Sequence, residues 1–182
     1  MGLPYAVLMP VFARDIFRGD AHILGFLMGA VGVGAVGASL YLAARKSVAG
    51  LETIIAFAPF STGLALISFA FSRTLWLSMI LLVIVGFSNL VHIASSNTVL
   101  QTIVDENKRG RVMSFYTMAL LGMAPFSSFI AGSLASLLGA PVTLAIGGIA
   151  CCAGSLLFIH RLPALRKMIR PVYTRMGIIS PK

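Results

Sequence analysis

The chain has 182 residues, of which 58% are hydrophobic and only 10% charged, and its mean hydropathy is +0.97. A soluble domain of this length cannot hide so much apolar surface, so the composition excludes that class and points to a membrane protein. The net charge of +9 comes from basic residues between apolar runs and near the C-terminus. No basic helix face with interleaved aromatics is present, so nucleic acid is excluded as a partner and the bilayer takes its place.

Gly2 to Phe12 is apolar but about half the length of a span, and Pro4 and Pro10 interrupt it. It lacks a basic n-region and a cleavage site, so it reads as the second half of a helix rather than a signal peptide. Residues 13–22, ARDIFRGDAH, form a polar loop. Ile23 to Ala43 is the second span; Gly25 and Gly29 make a GxxxG pair, and Ala30, Gly34 and Ala38 make a second row of small residues. Arg45 and Lys46 mark a basic loop, Thr53 to Phe71 is the third span with a bend at Pro59, and residues 72–74 make a very short turn.

Leu75 to Leu100, opened by an interfacial Trp76, carries the most polar face in the chain. Asn89, His92 and Ser96 recur at i, i+3 and i+7, with Ser88 and Ser95 beside them. Polar groups at membrane depth face other helices or a wet cavity, and both readings stay open for Ser88, Asn89, His92 and Ser96.

A charged loop follows, with Asp105, Glu106, Lys108, Arg109, Gly110 and Arg111. Its acids and bases pair across the loop, reach charges elsewhere, or simply mark the cytoplasmic side. Val112 to Leu138 is then a fifth span without charge, in which Ala124, Ser128, Gly132 and Ser136 share one face. With Gly122 nearby and Pro125 in mid-span, it reads as a packing and pivoting helix. After a turn, Pro141 opens the sixth span, Val142 to Ile159, whose Gly147, Cys151 and Ser155 form a packing row. The adjacent Cys151 and Cys152 suit neither a bridge nor a metal. Residues 161–182 are basic, interrupted by Pro163 and Pro171, and are expected to lie against cytoplasmic headgroups.

ENKRGRVMSFY followed by LGMAPFSSFIAG resembles the loop between the tenth and eleventh helices of the major facilitator superfamily, in particular its bacterial drug and siderophore efflux branch of enterobactin-exporter-like permeases. The ending RPVYTRMGI is similar to tails of that branch, whereas LAARKSVAGLE lacks the acid that the family's corresponding gate loop often carries. The resemblance covers nearly the whole chain but only the second half of such a transporter. It implies an all-α membrane protein: a six-helix half-bundle of the major facilitator fold, with one partial and five complete transmembrane helices in residues 1–160, and a cytoplasmic tail from 161. It further implies an efflux permease of the bacterial inner membrane, proton-coupled, with a small amphipathic substrate and an N-terminal half, or a second copy, as partner.

No enzyme signature is present: HExxH, GxSxG and a glycine-rich phosphate loop are all absent, and His22, His92 and His160 lie far apart. No metal or cofactor is expected. The second reading is a membrane interaction protein that packs with another helical half without transporting.

Overall fold

The computed structural model describes residues 5–45, 47, 48 and 50–175. Helix α1 (Tyr5–Val11) runs into a π-helical segment, Phe12–Ile16, and is followed by α2 (Ala21–Ala43) and α3 (Leu51–Phe71). Helices α4 (Leu75–Ile103), α5 (Glu106–Leu138) and α6 (Ala140–Arg175) complete the chain, and no strand occurs among the described residues. Helices α2 to α5, and α6 as far as Lys167, are each long and apolar enough to cross a membrane. The expected all-α membrane bundle of six helices is therefore present.

Two glycines at positive φ set the boundaries where a side chain would be strained: Gly50 (85°) before α3, and Gly139 (84°) between α5 and α6. The larger core lies at the end of the bundle carrying residues 72–74 and Gly139. There Phe12, Leu27, Leu66, Phe69, Leu82 and Leu144 are fully buried, and the rings of Phe12 and Phe69 stand 4.8 Å apart. Helix α2 packs on α4, α3 packs on both α4 and α6, and α5 lies at the margin, with Ala131 its one buried residue.

Two expected boundaries are corrected. Helix α5 begins at Glu106 rather than Val112, so the charged loop shrinks to Val104 and Asp105. Helix α6 does not stop near Ile159 but continues through Pro163 and Pro171 to Arg175, a length of about 54 Å at 1.5 Å per residue. Each proline removes one backbone bond. Burial of Leu162 and Tyr173 offsets that loss: Tyr173 packs with Leu51 of α3 and Val99 of α4 in a second, smaller core at the basic end.

Candidate functional site

The polar residues of α4 divide between two neighbours. Ser88 is buried and its hydroxyl donates to the Ser61 hydroxyl of α3 at 3.1 Å. One turn on, His92 Nδ1 lies 3.1 Å from the Ile55 carbonyl of α3. A carbonyl only accepts, so Nδ1 carries the proton and Nε2 is left for the other tautomeric role. That carbonyl has a specific need. Residue 59, which in a regular helix would donate to it, is Pro59 and has no N–H. His92 supplies the missing donor from the neighbouring helix.

Asn89 and Ser96 are half-buried. Asn89 lies beside the Tyr5 hydroxyl of α1. Ser95 is fully buried, and its hydroxyl has no partner among the described residues. The periodic stripe is thus a seam to α3 at Ser88 and His92, and a separate polar surface toward α1 at Asn89. Tyr5 and Ser61 carried no sequence signal of their own.

The small-residue rows sort in the same way. Ala30, Gly34 and Ala38 are buried, and a Cβ on Gly34 would collide with the Val83 carbonyl of α4. Reciprocally, a Cβ on Gly86 would strike the Val31 carbonyl of α2. Helices α3 and α6 meet equally closely: a Cβ on Gly63 would lie 2.5 Å from the Gly148 carbonyl, and one on Gly148 would lie 2.7 Å from the Gly63 carbonyl. The sixth-span row packs as expected, with Gly147 and Cys151 buried and Ser155 bonded to the Ala56 carbonyl of α3 at 2.5 Å. In contrast, a Cβ on Gly25, Gly29, Gly122 or Gly132 would meet nothing within 4 Å. On α5, Ala124, Pro125, Gly132 and Ser136 are exposed and Ser128 is half-buried. Within this chain no helix closely approaches Gly25, Gly29, Gly122 or Gly132.

In the charged segment the pairing across the loop, one of the readings left open, is not seen among the described residues. Asp105 stands at the N-cap of α5 without a side-chain capping bond, and Glu106 lies in the first turn, where it favours the helix dipole. Asp105, Glu106, Arg109, Gly110 and Arg111 are all exposed, and no ion pair joins the four charged ones among the described residues. Water separates their charges more cheaply than two long side chains can be fixed together. An unexpected ionic contact lies at the same end: Arg166 of α6 sits 3.6 Å from Glu52 and bonds the Thr53 hydroxyl at 2.5 Å, both on α3. Burial, and after it the Glu52 carboxylate, raise the Tyr173 hydroxyl above the ordinary tyrosine range, so it stays neutral beside this pair. Among the described residues no three His, Cys, Asp or Glu side chains converge as a metal site would require.

Close-packed helices of membrane-spanning length, an interhelical polar seam and a second polar surface on α4 define a polytopic membrane protein. The sequence pattern of the transmembrane secretion effector family, a major facilitator type, matches residues 4–172, and the chain belongs to that family. No curated protein and no solved structure matches the chain.

Proposed function

We propose that the chain is the C-terminal half-bundle of a proton-coupled efflux permease for small amphipathic solutes in a bacterial inner membrane. The observation that carries this reading is the pair of open faces on α2 and α5. Gly25, Gly29 and Gly132 have room for a Cβ in every case, yet the rows they belong to, Gly25 with Gly29 and Ala124, Ser128, Gly132 and Ser136, repeat small residues at a spacing that suits a closely approaching helix. An N-terminal half docked on α2 and α5 uses both faces and places Asn89 and Ser96 in the substrate cavity between the halves. Pro125 lets α5 bend as the halves rock, and the exposed Asp105–Arg111 segment acts as a gate at the basic end. Expressed alone, the 182-residue chain inserts and folds but does not transport. Co-expression with a matching N-terminal half restores proton-driven solute flux in proteoliposomes, and N89L in that pair lowers flux while membrane abundance holds. Flux from the purified chain alone would refute the half-bundle reading. No flux in any pairing would favour the alternative, a non-transporting interaction protein.

The orientation that goes with this reading puts the basic end and the C-terminus in the cytoplasm. Residues 44–50, 101–111 and 161–182 then hold eleven Lys and Arg, against three in residues 13–22 and 72–74, as the positive-inside rule requires. In a background lacking Cys151 and Cys152, S47C and T74C should react with impermeant maleimide from opposite sides. Both positions are exposed. Reaction of both from the periplasm would overturn the topology.

A further inference from the structure

We propose that Glu52, Ser95 and Tyr173 enclose a small water-holding chamber at the basic end of the α3–α4 seam, and that protons pass through it between the aqueous phase and His92. The inference rests on the proton-coupled reading above only for the use of this path in transport. Four of the chain's five acids, Asp15, Asp20, Asp105 and Glu106, are exposed. Glu52 is enclosed: its side chain is 15% exposed, Arg166 meets Oε1, and Oε2 is buried without a partner among the described residues. The Ser95 and Tyr173 hydroxyls are the two other buried side-chain groups left so. Thr98 and Thr102, farther along α4, return their hydroxyls to the carbonyl four residues back, and Ser95 does not. Three separate orphans would each cost about 1–3 kcal/mol, whereas one trapped water makes about three hydrogen bonds and satisfies them together.

The three oxygens come from three helices that meet at one level. Helices α3 and α4 are antiparallel, and the bonds from Ser88 to Ser61 and from His92 to Ile55 fix their register. Three residues on along α4 and three back along α3, that register sets Ser95 opposite Glu52. Leu51, next to Glu52, and Val99, one turn beyond Ser95, share a core with Tyr173 of α6. Arg166 stands at the outer side, half exposed, so the chamber borders water there. The other titratable side chains of α6 near it, His160, Arg161 and Lys167, are exposed; Arg45 at the end of α2 is bonded to Tyr41; and α4 has no Asp, Glu, Lys or Arg. Inward along the seam, the next titratable group is His92, one turn from Ser95. Its Nδ1–H is committed to the Ile55 carbonyl, so Nε2 is the proton acceptor. A proton added at Nε2 gives an imidazolium that keeps the Nδ1–H bond, and its departure restores the neutral ring. The water and the Ser95 hydroxyl each pass on one proton as they accept the next, so nothing else is consumed.

The test uses the full chain in lipid nanodiscs and two signals that do not depend on transport, so its result stands apart from the flux measurements on paired halves. Radiolysis of bound water oxidises the side chains around it. Tyr173 should therefore be oxidised several-fold more than Phe12 and Phe69, which are as deeply buried but sit in the apolar core. With the exposed His22 and His160 changed to glutamine, His92 is the single histidine, and its labelled ring nitrogens should receive magnetisation from water. S95V should abolish that transfer and lower Tyr173 oxidation while the Nδ1–H bond to Ile55 persists; S95A, which keeps the space but not the hydroxyl, should weaken both signals. Tyr173 as inert as Phe12 would overturn the proposal. So would the absence of transfer to His92 in the natural serine chain, or transfer undiminished in both S95V and S95A. Oxidation of Tyr173 because the end of α6 lifts away is separated by maleimide, in a chain lacking Cys151 and Cys152. L165C, in the same core as Tyr173, should react several-fold more slowly than the exposed A164C, and equal rates would overturn the chamber.

Discussion

Replacing His92 by leucine is expected to destabilise the bundle by about 1–2 kcal/mol, and the cost should vanish when Pro59 is alanine. The Ile55 carbonyl has no donor in its own helix because residue 59 is proline, and the His92 Nδ1–H at 3.1 Å is the donor it receives instead. H92L leaves that carbonyl unsatisfied in an apolar setting, where an orphaned acceptor is expensive. In P59A the restored amide closes the ordinary i to i−4 bond, and the histidine loses its special acceptor. Denaturant titration of the detergent-solubilised chain gives the four corners of the cycle. An equal cost of H92L in both backgrounds would show that His92 serves some purpose other than replacing the proline's missing bond.

The second large effect concerns glycine. G34A or G86A should each lower stability by about 1–3 kcal/mol or more, because the new methyl meets a backbone carbonyl of the opposite helix, and backbone cannot swing aside. G25A and G29A should leave stability unchanged or raise it by up to about 1 kcal/mol, since nothing lies within 4 Å and alanine favours the helix. Unfolding midpoints of the four variants decide the matter: parity between G25A and G34A would mean that the α2–α4 approach is not as close as the geometry has it. Leucine at Gly25 or Gly29 carries a further expectation, that the bundle stays folded while pairing with an N-terminal half is blocked.

The spans themselves were legible because hydropathy alone dictates where a chain can cross lipid, and α2, α3 and α4 differ from their expected limits by three residues at most. Helix ends were less so. Residues 106–111 and 161–175 are polar enough to resemble loops, yet beyond the hydrocarbon a helix continues wherever its backbone is satisfied or its side chains find a core, as Leu162 and Tyr173 do. Periodicity placed Asn89, His92 and Ser96 correctly on one helix but could not tell which neighbour each would meet. A clue did exist for His92: a proline in mid-span leaves a carbonyl that needs a donor from elsewhere, and the nearest span holds one histidine. The glycines offered no such clue. GxxxG at Gly25 reads more strongly than the separated Gly34, Gly63, Gly86 and Gly148, yet the latter four make the close contacts. Which row is used depends on helix rotation, and composition does not encode it.

The pairing of helices also governs how the bundle is assembled. Helices α2 and α3 are consecutive but barely touch, while α2 seats on α4 and α3 on α6. Their docking surfaces are glycine-to-carbonyl faces that gain nothing until the matching helix arrives, and in lipid no hydrophobic collapse holds a helix near its future partner. Helix α2 must therefore remain in the bilayer unpaired while α3 is made and turned back. Helix α3 meets α4 at once, but its α6 face must wait longer still, since the bond from Arg166 to Thr53 joins residues 113 apart. Insertion proceeds helix by helix along the chain, but consolidation is interleaved. The interval between the two is when α2 and α3 are most open to capture by the wrong neighbour.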